Sequence, residues 1–516
     1  MQSRKSAPCL ALLAAAAIVT LPGGALRAQA ATQPSGDVDL TLETMVEFAL
    51  NNSYRVRHLN INVERTRLNL QASRARLKSR VDLDFTIPRI NVISETRWNS
   101  DLQRNVIERE NSRRVAAELS VRQPVVLFGF PTNGYLSLNN TMYRLTQHES
   151  DSRDIRYYNR YFVRYTQPLF QANSLRNDLE QAEMSVEEEE LDYQSDIVDI
   201  IDNTADDYYD LFEIAYEQQI RESYVANLER ALALAQGAVA TDPDRAIDVD
   251  QIRVELANAR EEVSSLESRW RLETSSIKTE FNIPQAATIS IDPVIELSRV
   301  AIDPQVATRY AMEFTPRMRK LDLSYRRQEI RLDETKGRGG FEMDVSLSYG
   351  REMQDEIFGQ IWDEPENTYT VDVAGSLPIW DWGERKARIE ASRLNVDQSQ
   401  LRIEETTADI ENDIQNEVRN VAEYENRAFN MQANLELSQG ITQTSITRYA
   451  DGAISALDLI TGMRRELDTA NNFLDAYLGW RNALQRMQEM TYYDFEYGMR
   501  VMNRFGITLG ATTPRP

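Results

Sequence analysis

Apolar positions along most of the chain recur every three or four residues, which is the spacing of one buried helix face. The longest such run predicts a helix from Leu175 to about Gln236, and a second run predicts another helix from Arg385. At 1.5 Å per residue the first helix would be roughly 90 Å long. The runs break at 241–244 and at 451–452 and then continue, so the pattern predicts two coiled-coil hairpins.

Four shorter stretches alternate with a period of two. One face of each is apolar and the other is mostly polar; the stretches are 81–87, 161–166, 341–349 and 369–373. Such alternation predicts strands between an apolar and an aqueous environment, and strands of about this length cross a bilayer when tilted. Trp and Tyr residues crowd the strand ends, as in membrane barrels. A half-buried sheet in a soluble protein would show the same alternation.

One helix–strand–strand–helix unit occurs twice along the chain. Residues 166–170 and the helix after them recur at 376–380, about 210 positions later, and residues 49–85 align without a gap on 311–347. Self-similarity at this scale indicates one structural unit used twice. A helix predicted at 41 to about 78 leads into the first strand.

The first unit carries an insertion of about 52 residues, placed at about 98–157. The distance from Phe85 to Pro168 is 83 residues, against 31 from Leu347 to Pro378. Part of the insertion also alternates, as at Val115, Ala117, Leu119 and Val121. The sequence leaves open whether the insertion adds two strands, which would give six per chain, or forms a loop or plug beside four strands.

These patterns divide the chain into six parts. Residues 1–30 are expected to be a secretory signal peptide, with Arg4 and Lys5 before an apolar run and small residues at the cleavage site. The apolar run, about 12 residues, is too short to span a bilayer as a retained anchor. The other parts are a linker at 31–39, the first repeat at 40–283, a connector at 284–310, the second repeat at 311–490 and a C-terminal tail at 491–516.

The chain is acidic, with 81 Asp and Glu residues, 58 Lys and Arg residues and a formal net charge of −23. Nucleic-acid binding is therefore not expected, because phosphate contacts need clustered Lys and Arg. The two histidines, His58 and His148, and the one cysteine, Cys9, form no catalytic or metal-ligand motif, and no Gly-rich phosphate loop is present. The sequence predicts no enzyme activity, no cofactor and no metal site.

In its order of elements the chain resembles the TolC-like outer-membrane efflux proteins over about residues 40–490. The resemblance is carried by the strand–proline–helix segments at Pro168 and Pro378, the helix openings at 51–55 and 311–317, and the segment 448–458. It implies a mainly α fold with a small membrane β-barrel. Long coiled-coil helical hairpins would form a trimeric α-barrel tunnel, and four strands per chain would join a shared 12-stranded β-barrel. The insertion leaves six strands per chain open as the alternative.

The resemblance also implies partners and a site. The partners would be further copies of the chain in a homotrimer, a periplasmic adaptor (membrane fusion) protein, an inner-membrane pump that is proton-driven or of the ABC type, and outer-membrane lipid. The site would be the periplasmic helix tips, where the tunnel closes and the adaptor docks. Candidate residues at the two tips are Asp242, Asp244, Asp248, Asp250, Arg448, Tyr449, Asp451, Gly452 and Asp458.

Two roles remain open for the tip aspartates. Any Asp that faces the lumen of a trimer becomes part of an acidic ring, and such rings select cations. Alternatively these residues only cap helices, as Asp often does. Arg448 and Tyr449 are candidates to bond to Asp residues of a neighbouring hairpin and so hold the closed state.

The sequence thus predicts a passive outer-membrane exit duct of a tripartite efflux or type I secretion system, gated at the periplasmic helix tips. The protein would lie in the bacterial outer membrane with a helical extension into the periplasm. The alternative is a secreted or periplasmic coiled-coil scaffold without channel activity. A hydrolase on a helical frame has no candidate nucleophile and base.

Overall fold

The computed structural model describes residues 38–100, 103–149, 152–239 and 242–507. The predicted signal peptide, most of the predicted linker and the end of the C-terminal tail lie outside the described residues. Among the helices of the described part, none is both long enough and apolar enough to cross a membrane.

Two very long helices dominate the fold. The helices are α1 (Leu42–Asn52), α2 (Tyr54–Ala75), α3 (Ser174–Val239), α4 (Ala246–Glu280), α5 (Pro304–Phe314), α6 (Pro316–Gly337), α7 (Glu384–Ala450), α8 (Ala456–Thr491) and α9 (Val501–Arg504), with 3-10 turns at Pro243–Arg245 and Phe358–Trp362. Helices α3 and α7 contain 66 and 67 residues, so each is about 100 Å long at 1.5 Å per residue. Because α3 packs along α4 and α7 along α8, the two predicted helical hairpins are confirmed.

The helix expected at 41–78 is divided at Ser53. Helix α1 ends there and α2 begins, and Ser53 Oγ accepts the backbone N–H of Val56 at 3.3 Å. Ser is among the preferred capping residues, and the spacing of apolar positions does not show such a break. In the second repeat the junction falls at Thr315, where Pro316 opens α6 without the N–H that a continuing helix would need.

Ten strands are present in the described residues, and six of them form one antiparallel sheet in the order β2-β3-β4-β5-β7-β8. The strands are β1 (Val38–Asp39), β2 (Arg80–Asn99), β3 (Arg104–Leu127), β4 (Phe130–Glu149), β5 (Ser152–Leu169), β6 (Ile289–Ser290), β7 (Glu342–Asp355), β8 (Glu366–Ser376), β9 (Tyr493–Asp494) and β10 (Met499–Arg500). Of the four or six strands that the sequence left open, the sheet therefore has six, because β3 and β4 both lie inside the insertion.

The six strands share one two-faced pattern. Paired residues form a row of apolar side chains across the whole sheet: Val81, Val121, Leu138, Val163, Tyr349 and Tyr369. The adjacent row on the opposite face is mostly polar: Asp82, Ser120, Asn139, Phe162, Gly350 and Thr368. In the single chain Val81 and Tyr369 are 63% and 79% exposed. An apolar face this open marks an interaction surface.

The main core lies midway along the long helices, where the two ends of the described chain meet. Residues 40–59 pack there with the middle of α3, with residues 277–289 and with α9. Strand β1, at the end of the predicted linker, pairs in parallel with β6. A neighbouring cluster of α3, α5, α7 and α8 surrounds the fully buried Trp480. This core separates the sheet at one end of α3 from the helix tips at the other.

Candidate gating site at the helix tips

The two helix tips are formed by different types of backbone turn. At the first tip, Pro243–Arg245 forms a 3-10 turn that leads directly into α4. At the second tip, Gly452 has a φ of +72°, and its N–H donates to the Tyr449 carbonyl at 3.0 Å. Glycine adopts this left-handed conformation without steric cost, and it commonly ends a helix in this way. The tips thus end both hairpins in short, defined turns.

Tyr449 joins the two hairpins at the tips. Its side chain is only 1% exposed, and its hydroxyl donates to Asp248 Oδ2 on α4 at 3.1 Å. The same carboxylate oxygen accepts from Arg245 Nε at 3.2 Å, and the Arg245 guanidinium carbon lies 4.8 Å from the centre of the Tyr449 ring. A phenol, a carboxylate and a guanidinium therefore form one contact between α7 and the start of α4.

The Tyr449 phenol keeps its proton over an unusually wide pH range. Burial raises its pKa to about 12, and the negative charge and hydrogen bond of Asp248 act in the same direction. The ordinary value is 10.0. The phenol is therefore a hydrogen-bond donor to Asp248 at every physiological pH.

We expect the Tyr449 contact to stabilise the joined tips fully below pH 10 and to be lost as the pH rises from 10 to about 12, because the raised pKa favours the protonated, folded form. The measurement is the pH dependence of the midpoint of urea unfolding, compared between the native chain and Tyr449→Phe. The difference between the two should be constant below pH 10 and should change above it. A difference that follows pH between 6 and 8 would contradict this assignment.

A second contact joins the hairpins farther from the tips. Glu255 on α4 accepts the Tyr224 hydroxyl of α3 at 2.6 Å and Arg464 Nε of α8 at 2.8 Å. Arg464 binds the other carboxylate oxygen with its Nη2, which makes the pair bidentate. The hydrogen bond from Arg464 lowers the pKa of Glu255 more than any other interaction does. Sequence analysis missed this contact, because nothing in the pattern sets Glu255 apart from the other acidic residues of α4.

The remaining candidate residues lie in three kinds of position. Asp458 accepts the Ser455 hydroxyl at 2.7 Å in a capping box that starts α8. Asp250 is exposed and pairs with Arg253 at 3.5 Å. The others lie in or beside the turns: Asp242 precedes the 3-10 turn, Asp244 lies in it, Arg448 is an exposed residue in the last turn of α7, and Asp451 is the exposed residue that ends α7. The structure thus brings Asp248 and Tyr449 together and leaves Asp451 facing solvent in the single chain.

Comparison with known proteins identifies the family and the fold of the chain. The model of the family described as outer membrane efflux protein matches residues 135–278 and 320–491. Solved structures with a similar fold include the outer membrane channel CmeC of Campylobacter jejuni (13% identity, 91% of this chain and 91% of that chain, TM-score 0.62), the outer membrane protein VceC of Vibrio cholerae (12%, 87% and 96%, 0.63) and the open state of the MtrE outer membrane channel of Neisseria gonorrhoeae (12%, 89% and 95%, 0.52). At these identities the likeness shows the fold. Among curated proteins, no sequence matches the chain.

Proposed function

Since the chain belongs to the outer membrane efflux protein family, we propose that it is the passive outer-membrane channel of a tripartite efflux or type I secretion system, gated at its helix tips. The observation that carries this function is the six-stranded sheet at one end of two helices that are each about 100 Å long. Within the described residues, one face of the sheet is mostly apolar and its edge strands β2 and β8 each have only one neighbouring strand. Such a sheet is stable in a bilayer only when its edges are closed.

Closure requires further copies of the chain. The edge strands β2 and β8 run in opposite directions, because the six strands alternate in direction across the sheet. Strand β8 of one copy is therefore oriented to pair in antiparallel fashion with β2 of the next. The family resemblance supplies the number three, so the assembly is a homotrimer with a shared β-barrel and an α-barrel tunnel.

The assembly places the two ends of α3 in different compartments. The sheet lies in the lipid of the bacterial outer membrane, and the helical hairpins extend into the periplasm. A periplasmic adaptor protein docks at the tips, and an inner-membrane pump of the proton-driven or ABC type supplies the energy. The channel itself catalyses no reaction and holds the path closed until the adaptor acts.

The Tyr449–Asp248–Arg245 contact is the gate proposed for each copy. It fixes α7 against the start of α4, so the second hairpin cannot swing away from the first while the contact holds. The contact around Glu255 restrains the same movement farther from the tips. Opening the tunnel requires that both contacts break.

Asp451 is the residue proposed for an acidic ring at the closed tips, because Asp248 and Asp458 are engaged in contacts of their own. Replacing Asp451 with Asn should raise the concentration of Mg²⁺ that half-blocks the channel about tenfold, since three carboxylates are removed from the entrance. The measurement is single-channel conductance with Mg²⁺ added on the periplasmic side. Asp397→Asn, which removes one exposed charge from α7 far from the tip, is the control. Equal block in both variants would refute the ring.

The direct test of the channel function uses the purified full chain in planar lipid bilayers. A gated channel gives discrete, uniform conductance steps, and a coiled-coil scaffold gives none. The scaffold alternative also predicts that the chain remains in the aqueous fraction when membranes are floated. Absence of conductance together with an aqueous protein would overturn the proposal.

A further inference from the structure

The inserted hairpin β3–β4 is a part of the sheet that the family resemblance does not imply. On the basis of the channel function, we propose that three copies of this chain close a barrel of 18 strands (three times six), in which the hairpins β3–β4 form one third of the wall. The partner is a second copy of the chain, and the interface is the pair of edges β8 and β2.

The hairpin is hydrogen-bonded into the sheet on both of its sides. Strand β3 pairs with β2 from Arg80↔Arg122 to Asn99↔Arg104, with one irregularity. Strand β4 pairs with β5 without a shift from Tyr135↔Thr166 to Glu149↔Ser152. A plug or a surface loop would leave β2 and β5 beside each other. Here β2 and β5 are three positions apart in the sheet, and the edges are β2 and β8.

The hairpin continues the apolar face of its neighbours. On β3 this face carries Val115, Ala117, Leu119 and Val121, and on β4 it carries Leu136 and Leu138. The exposed fractions of Leu119 and Leu138 are 41% and 50% in the single chain. An alternating strand presents its apolar residues to lipid and its polar residues to the lumen. The apolar residues of the hairpin therefore lie in the same rows as those of β2 and β5, as expected if all four strands belong to the barrel wall.

Side chains on the opposite face link the hairpin to the rest of the sheet. The Arg114 guanidinium carbon of β3 lies 4.0 Å from the centre of the Tyr143 ring of β4, which stacks on Tyr158 of β5 at 4.6 Å. The Tyr158 hydroxyl donates to Glu352 of β7 at 2.6 Å, and Thr368 of β8 donates to the same carboxylate at 3.2 Å. These side-chain contacts connect five neighbouring strands without a gap. A hairpin folded away from the barrel wall could not make them.

The lower turn of the hairpin is fixed at the junction between sheet and helices. Asn173 Nδ2, just before α3, donates to the Pro131 carbonyl, and Gln167 Nε2 of β5 donates to the Thr132 carbonyl at 2.7 Å. A Cβ added to Gly134 would lie 2.3 Å from Gln167 Oε1, so a side chain there would disrupt this packing. In the described residues, β3 and β4 do not lead into a helix of their own. The hydrogen bonds at the lower turn therefore fix the position of the hairpin along the axis of the barrel.

The added strands change the width of the exit. With about 4.8 Å between strands and a tilt of about 40°, 18 strands give a backbone diameter of about 36 Å, against about 24 Å for 12 strands. Barrels of 16–18 strands leave an open aqueous channel. The barrel is therefore not the narrowest part of the path, and passage is controlled at the helix tips.

Thiol cross-linking of the full chain in its membrane tests this arrangement. Asp82→Cys with Ser120→Cys places two thiols on directly paired residues of β2 and β3. A short bifunctional thiol reagent should join them and abolish later maleimide labelling. Asp82→Cys with Phe162→Cys is the matched control: the two residues lie in one row but three strands apart, about 14 Å, so both thiols should stay labelled. A link in the second pair and none in the first would show that β2 pairs with β5, which overturns the proposal.

Electron cryomicroscopy of the unmodified chain in lipid nanodiscs supports or overturns the same proposal without substitutions. A trimer with 18 strands is the expected result. A trimer with 12 strands would overturn the wider barrel and leave the channel function intact. A particle with no membrane barrel would refute the channel function itself.

Discussion

Replacing Asp494 with Ala is expected to lower the free energy of unfolding by about 3–5 kcal/mol, because it leaves a charged Arg504 side chain buried with one partner fewer. Asp494 is 0% exposed. Its Oδ2 accepts Arg504 Nη1 at 2.7 Å, and its Oδ1 accepts the backbone N–H groups of Glu496 and Tyr497 at 2.9 and 3.0 Å. Arg504 also binds Glu43 of α1 at 2.6 Å. Arg504 thus joins α9 both to Asp494 in β9 and to Glu43 in α1.

The test is the midpoint of urea unfolding of the detergent-solubilised protein, followed by circular dichroism. The exposed ion pair of Asp250 and Arg253 offers a control, since Arg253→Ala should cost no more than about 1 kcal/mol. Arg504→Met leaves the buried Asp494 carboxylate without its cation, so it should lower the free energy of unfolding by a similar amount. An Asp494→Ala midpoint equal to that of Arg253→Ala would show that the buried network does not stabilise the fold.

Breaking the Tyr449–Asp248 and Arg464–Glu255 contacts should open the channel. The double variant Asp248→Asn with Glu255→Gln removes the two carboxylates that α4 offers to Tyr449 and to Arg464. A hydrogen bond to a charged group contributes about 1.5–3 kcal/mol, and every 1.4 kcal/mol changes an equilibrium tenfold. We therefore expect the open probability of the purified channel to rise at least tenfold.

The matched control also removes one Asp charge and one Glu charge from α4, but at positions that take part in neither contact. Asp250→Asn with Glu261→Gln changes two exposed residues of α4. Single-channel recording should show the control closed as often as the native chain and the double variant mostly open. If both double variants open equally, the loss of charge rather than the loss of the contacts controls the gate.

The long helices could be predicted because their apolar spacing continues for tens of residues, as from Leu175 to the first tip. The positions of the strands could be predicted from the sequence, but their ends could not. Strand β2 continues past Ile87 to Asn99, where the apolar alternation fades and only backbone pairing defines the strand. The break at Ser53 depends on a single capping hydroxyl, and no periodicity reveals it.

The tips could be placed from the sequence, but their contacts could not. Tyr449 and Asp248 are 201 positions apart, and Arg464 and Glu255 are 209 apart. Such pairs depend on how the two hairpins pack along their whole length. The insertion shows the same limit: Val115 to Val121 revealed an alternating segment, whereas its position between β2 and β5 depends on pairing that one strand does not encode.

Identical copies of this chain are proposed to seal the open edges of their sheets in the lipid of the outer membrane. Native mass spectrometry of the protein extracted from membranes tests it most directly. We predict a complex of three chains that requires detergent to stay in solution. A single chain that is monodisperse in buffer without detergent would contradict the account.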